Sequence, residues 1–407
     1  MVVLKLFKNI KTKEYKVLYQ RIWFTLMVMT IYILGSRIVL PGMKIQFLSS
    51  HSFLDLALSN VGGDIRTLNL FSLGLGPWFI TVIMMTLFNY RNIDKGKLQT
   101  RLERHIKERL FTLLLAIFQG CFLLSQYRNE IHLSSMYVAL LLLILVAGTM
   151  FLVWLVDQNT IYGIAGPTPI VLIGIIKSIF QQQQHLAMTM VMIVAVSMVI
   201  VLVLIIWLER IEYRIRYRDM MNVTTSKKDI YISWKLNPAG SLAVMFHFSL
   251  FSIIVMLVQW IGKVLTRQVD NQLEFLELAH TSGILLFLVT LFLLNYILSK
   301  VMLNTKRKAK DFQKSGNYIE GIYPGKQTEK YLNRRASIVS AWGAVALSVI
   351  IGLPLLISIV IPDMANQLSI LTQFIIMIYM TVHITETVRT YLYFDQYQPF
   401  LDRYCKE

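Results

Sequence analysis

Long apolar blocks alternate with short polar stretches along the whole chain. The blocks fall near 22–40, 75–89, 110–125, 135–156, 164–180, 186–208, 240–262, 282–303, 338–361 and 368–388. Several reach the roughly 18–20 apolar residues that carry a helix across about 30 Å of hydrocarbon. A core helix of a soluble protein is shorter and shows a polar face. The pattern therefore predicts an all-α polytopic membrane protein with about ten transmembrane helices. The first block, Ile22 to Leu40, is longer than the core of a signal peptide, and no small-x-small cleavage site follows it, so it reads as a retained span.

Composition agrees and then raises a second question. Of the 407 residues, 56% are hydrophobic and only 15% charged, against about a quarter charged in soluble domains. The net charge is nevertheless +17, a value that nucleic-acid binders also reach. The positions of the charges argue otherwise. Lys5, Lys8, Lys11, Lys13, Lys16 and Arg21 precede the first block. Arg91 to Arg109 follow the second, Arg210 to Lys228 the sixth, and Lys300 to Lys314 the eighth. The alternate loops, such as Gln181 to Gln184 and Pro362 to Asn366, are nearly neutral. The positive-inside rule then places both termini in the cytoplasm. No base-reading motif accompanies the charge, so no nucleic-acid partner is expected.

Chemistry of other kinds finds no support. Cys121 and Cys405 make neither a disulfide framework nor a metal cluster. There is no nucleotide loop, HExxH or nucleophile elbow. Neither an enzyme nor a cofactor is expected, and energy for any work would come from a partner.

Three features do not follow from simple spans. Residues 42–74 are too polar to cross a membrane and too apolar for a free loop. Irregular backbone is tolerated at membrane depth only inside protein or beside a water-filled cavity. A re-entrant segment filling a cavity satisfies that rule, and so does an amphipathic helix on the outer surface. The basic loops near 209–237 and 304–335 run to about thirty residues, long for connectors. They carry Tyr213, Tyr217, Tyr231, Trp234, Tyr318, Tyr323 and Tyr331, which suits docking surfaces better than solvated loops. Among ionisable residues in spans, Arg37 and Lys177 lie near span ends and read as snorkelling to the interface. His383, Glu386 and Arg389 share one helix face, a row that a transporter would use as a proton relay. Their place at the cytoplasmic end favours a helix-terminus ion cluster.

Several segments resemble the SecY family, the central subunit of the bacterial protein-conducting channel. They are Leu115 to Gln119, Gly148 to Leu155 with Asp157-Gln158, Lys235 to Asn237 with Ala239-Gly240, Ser315-Gly316, Gly321 to Leu332, and Gln396-Tyr397. Their order and spacing cover nearly the whole chain. The resemblance implies ten helices in two inverted halves, 1–180 and 181–407, around a central pore. Within 55–74 it implies a plug centred on Gly62, Gly63, Asp64, Ile65, Arg66, Thr67, Leu68 and Asn69. It implies an apolar pore ring at Leu75, Phe79, Leu172, Ile176, Met245 and Ile376, which can gate by dewetting. Gln119 matches the polar residue of the lateral gate. Arg210, Arg214, Arg216, Gly321, Tyr323, Pro324, Gly325 and Lys326 match the motor-docking positions.

The implied partners are a SecA-type motor ATPase, small SecE-like and SecG-like or accessory subunits, an unfolded preprotein and membrane lipid, all at the plasma membrane. Two departures stand out. Tyr323 replaces the arginine of the general-pathway motif, losing a fixed bidentate cation. Ala165 to Pro169 replaces the usual Gly-Asn-Gly stretch. The second departure bears on the ring match at Leu172 and Ile176. The first, with the absence of the usual proline after Ile215 and the short chain, resembles the accessory SecY branch of Gram-positive bacteria, which exports serine-rich glycosylated adhesins. The alternatives are a general-pathway SecY channel, an inverted-repeat secondary transporter, and a scaffold without a pore.

Overall fold

The computed structural model describes residues 16–40, 57–64, 68–92, 100–127, 135–181, 188–219, 230–266, 281–360 and 365–394. Its helices are α1 (Lys16–Gly35), α2 (Gly76–Asn92), α3 (Arg101–Tyr127), α4 (Ser135–Tyr162), α5 (Thr168–Gln181) and α6 (Met188–Arg210). A hairpin of β1 (Glu212–Arg216) and β2 (Tyr231–Lys235) follows, then α7 (Gly240–Thr266), α8 (Thr281–Leu303), α9 (Thr305–Ser315), α10 (Lys326–Val360) and α11 (Ala365–Phe394). Every helix except α9 coincides with one of the ten apolar blocks. Among the described residues seven helices are long and apolar enough to cross a membrane.

The helices carry apolar residues on both faces, as a lipid environment requires, and several bury polar groups. In α4, Leu141, Leu145, Leu152 and Val156 point inward with Thr149 and Asn159, while Leu143 and Trp154 point outward. Thr149 returns its hydroxyl to the Leu145 carbonyl at 3.0 Å, so no buried donor is stranded there.

The chain forms two compact units. The first contains Met1–Trp78, Arg109–Gln183 and Met377–Glu407. In it α1 packs on α4 and α5. Arg21 donates to the Gly163 carbonyl at 3.0 Å and the Tyr391 hydroxyl at 3.2 Å. Thr25 accepts from the Ile164 N–H at 2.9 Å, and Asn159 donates to the Gly166 carbonyl at 2.6 Å. Apart from the Arg21–Tyr391 bond, these satisfy backbone groups at the turn from α4 to α5. The turn is the departure at Ala165 to Pro169, and Ala165 adopts a left-handed conformation there (φ 58).

The second unit contains Phe79–Glu108 and Gln184–Ile376. Here α8 packs on α7 and α10. Phe287 of α8 meets His247 of α7 edge-on at 4.4 Å, with Phe251 and Phe248 around them. Asn304, in a left-handed conformation (φ 38), separates the apolar α8 from the strongly basic α9. Asparagine tolerates that conformation better than most residues.

Candidate functional site

The first candidate region is the stretch before α2, within the first unit. Its described residues 57–64, 68, 69 and 71–75 are all buried. For these residues that burial excludes the amphipathic helix on an outer surface, while 42–56 lie outside the described residues. The backbone folds on itself: Gly63 donates to Leu58 at 2.8 Å, Asp64 to Ser72 at 3.1 Å, and Leu75 to Val61 at 3.0 Å. Leu40 and Leu70 bond across to Leu68 and Ile38. Asn69 accepts from the Phe71 N–H at 2.8 Å, an Asx turn that reverses the chain toward α2. Gly74 has φ 58, and a Cβ there would lie 2.5 Å from the Gly63 nitrogen, so only glycine fits.

This segment lies against α1 and α5. The Tyr32 hydroxyl donates to the Gly62 carbonyl at 2.7 Å, and Phe71 stacks on Tyr32 with centroids 5.9 Å apart. On α5, Ile170 lies 3.4 Å from where a Cβ on Gly62 would be, and a Cβ on Gly174 would lie 2.7 Å from the Ser59 carbonyl oxygen. Lys177 reaches Asp64 at 2.8 Å. Lys177 therefore does not snorkel to the interface as its place near a span end suggested. An acidic partner on a distant part of the chain holds it.

The expected site residues divide between the units. Of the plug positions, Gly62, Gly63, Asp64, Leu68 and Asn69 lie in the buried segment, while Ile65, Arg66 and Thr67 fall outside the described residues. Leu75 is fully buried beside them. Leu172 and Ile176 are half-buried. At 100° per residue they lie on the opposite side of α5 from Ile170, Gly174 and Lys177. In the second unit Phe79, Met245 and Ile376 are buried, and Phe79 packs on Phe246 at 5.3 Å. Gln119 is fully buried, and among the described residues its carboxamide has no hydrogen-bond partner. Its oxygen lies 3.5 Å from where a Cβ on Gly76 would be. An unpaired buried amide costs about 1–3 kcal/mol, a sign that packing alone does not set this position.

The second candidate region is basic and exposed, within the second unit. The hairpin pairs Tyr213 with Trp234 and Ile215 with Ile232. One face joins Leu303, Ala309, Ile319, Leu332 and Ala336 in a small core around Trp234. The other presents Arg214 and Arg216 to solvent, with Arg214 stacked over Tyr231 at 4.7 Å. Arg210 is exposed at the end of α6. Arg218 exchanges backbone bonds with Tyr318 at 2.8 and 3.0 Å, and its side chain pairs with Glu320. The two long basic loops are therefore one platform. Lys308 of α9 lies over the Trp234 ring at 5.4 Å, and partial burial lowers its pKa from the ordinary lysine value.

Gly321, Tyr323, Pro324 and Lys326 are exposed, and Gly325 is half-buried. Tyr323 and Pro324, with Phe312, Ile319 and Ile322, line a hollow of ≈ 480 Å³. Of the expected ion row, His383 and Glu386 are half-buried and Arg389 is exposed, all in the later turns of α11. No cluster of three metal-ligating side chains occurs among the described residues. Sequence reasoning missed the hairpin. Its signal was present as the strict alternation Tyr213, Ile215, Tyr217 against Glu212, Arg214, Arg216, the period of a half-buried strand.

Comparison with known proteins identifies this architecture. The family model described as SecY matches residues 69–385. The accessory Sec system protein translocase subunit SecY2 of Staphylococcus haemolyticus is 45% identical over 97% of this chain and 100% of its own length. Its counterpart in Staphylococcus aureus strain Newman is 42% identical over 98% and 99%. Among solved structures, a protein-conducting channel superposes with a TM-score of 0.68 at 14% identity, covering 93% of each chain. Sec61 of a canine ribosome–channel complex from the endoplasmic reticulum gives 0.61 at 13% identity, again over 93% of each chain. The chain is a multi-pass membrane protein with the fold of a protein-conducting channel, and it belongs to the SecY family.

Proposed function

We infer that the chain is the pore-forming subunit of an accessory Sec translocase. It passes unfolded preproteins, serine-rich glycosylated adhesins by the branch it resembles, across the plasma membrane, with both termini in the cytoplasm. A SecA-type ATPase supplies the energy, and small SecE-like and SecG-like or accessory subunits complete the assembly. The observation that carries this is the near full-length similarity, at 45% identity, to a relative named as an accessory translocase subunit.

The geometry of each region suits that role. The described residues of 57–75 form a compact, self-bonded body on α1 and α5, suited to act as a plug. In this account Leu75, Phe79, Leu172, Ile176, Met245 and Ile376 form the pore ring, whose uncharged surface excludes ions while yielding to a passing chain. The halves 1–180 and 181–407 part around it, and Gln119 marks the gate through which a signal sequence reaches lipid. The basic platform with Arg210, Arg214, Arg216 and the loop Gly321 to Lys326 docks the motor. Nothing in the site favours the transporter alternative, because the proposed ring contains no charge.

The test is reconstitution. Vesicles containing the chain, its companion subunits, a SecA-type ATPase and ATP should render an unfolded precursor protease-protected. Uptake of a small solute against its gradient by the chain alone, with no protection of precursor, would overturn the channel account.

A further inference from the structure

We propose that Asp64 and Lys177 form an electrostatic latch that holds the plug segment closed on α5, so that the charges at these two positions set how readily the channel opens. The proposal rests on residues 57–75 acting as the plug. Ile170, Gly174 and Lys177 recur at helical spacing (i, i+4, i+7) along one side of α5, and each meets the segment. The Ile170 side chain faces Gly62, 3.4 Å from where a Cβ there would be, and Gly174 supplies close backbone approach to Ser59 and Gly62. Lys177 supplies the charge, its ammonium 2.8 Å from the Asp64 carboxylate. The Asp64 side chain is 9% exposed and that of Lys177 27%.

The two partners are not symmetrical. Asp64 is tied into the segment, its own N–H bonded to the Ser72 carbonyl at 3.1 Å, and the segment is held to α1 by the Tyr32–Gly62 bond. Lys177 is in the last turns of a helix that carries two of the proposed ring residues on its other side. Removing either charge strands the other in a poorly hydrated place, which opposes closure more than loss of the contact alone. Packing of Ile170 and Gly174 has no such asymmetry: it is short-ranged and gives way once the segment moves. An ion pair acts at longer range in a low-dielectric surround, so it draws the segment back to its seat. Lys177 is thus a positioning residue for the plug rather than an interface anchor.

The experiment measures ion leak through the purified channel, in its full complex, in planar bilayers. Five proteins are compared: wild type, Lys177→Met, Asp64→Asn, the double charge swap Asp64→Lys with Lys177→Asp, and a variant lacking residues 60–69. The deletion should leak strongly, which upholds the plug assignment. Each single variant should raise the open fraction by roughly tenfold, and the swap should return it toward wild type. Rescue by the swap separates an electrostatic latch from general loss of structure, and it stays informative if one single variant fails to fold. A leaking deletion with single variants as tight as wild type would overturn the latch while leaving the plug assignment standing. A deletion that does not leak would overturn the plug assignment and the latch with it.

Discussion

The segment before α2 and the basic platform of the hairpin and α9 are both irregular additions to a bundle of apolar helices, yet they are stabilised by opposite means. The segment buries nearly every described residue and holds itself by backbone bonds, glycine approaches and one carboxylate–lysine contact. The platform exposes its charges and hangs them on a core of eight buried side chains that includes Trp234. The segment also buries Leu58, Val61, Phe71 and Leu73, but it meets α5 through close glycine approach and a charge pair, which suits a part that must leave its seat. A side-chain core with a large aromatic at its centre is rigid, which suits a surface that must present charges in fixed register to a partner.

The largest effect should come from the centre of the platform. Trp234→Ala removes its main core side chain and should destabilise the platform by about 3–5 kcal/mol. Limited proteolysis within 209–237 and 304–335 should accelerate, with no rise in ion leak. The matching break in the segment is Gly174→Leu. The new side chain meets the Ser59 carbonyl and Gly62 backbone, and overpacking of this kind costs about 1–3 kcal/mol. Here leak should rise while platform proteolysis stays unchanged. If either variant altered both readouts, the two regions would not be independent in the way their construction suggests.

Smaller effects sharpen the contrast. Ala165→Gly relieves a left-handed alanine in the α4–α5 turn and should stabilise the first unit by at most about 1 kcal/mol, since glycine's greater unfolded entropy offsets part of the gain. Thermal unfolding in detergent measures it. Tyr323→Arg alters an exposed side chain, 76% accessible, and should change stability by less than about 0.5 kcal/mol. It should leave coupling to the dedicated motor unimproved and permit coupling to a general-pathway SecA. Equal binding of both motors by variant and wild type would show that Tyr323 does not set motor choice.

The spans were legible because lipid imposes a simple rule: among the described residues each apolar block coincides with a helix, and seven helices are long and apolar enough to cross a membrane. Their ends were less so. α3 begins at Arg101 and α10 at Lys326, each well before its apolar block. Hydropathy registers only the part in lipid, whereas the α3 helix continues into water on the pairs Lys107–Glu103 and Arg104–Glu108 at 2.6 and 2.7 Å. The hairpin was readable from its alternation but was hidden by attention to charge. The Asp64–Lys177 contact was not readable at all. Lys177 alone looked like an interface charge and Asp64 like one residue of a plug, and only the folded turn at Gly62 and Gly74 brings the carboxylate to α5. The pore-ring and docking residues came from motif resemblance, because mid-span apolar positions are alike by composition alone.

The measurement that bears most directly on the channel account is a crosslink to a chain in transit. In a protein freed of Cys121 and Cys405, a single cysteine is placed at Leu75 or Ile376, or at the outward-facing Leu143 as control. A stalled precursor bearing its own cysteine is then offered with the motor and ATP. Disulfides at Leu75 and Ile376 and none at Leu143 are the predicted result. An engaged precursor that forms no disulfide at either ring position would contradict the account.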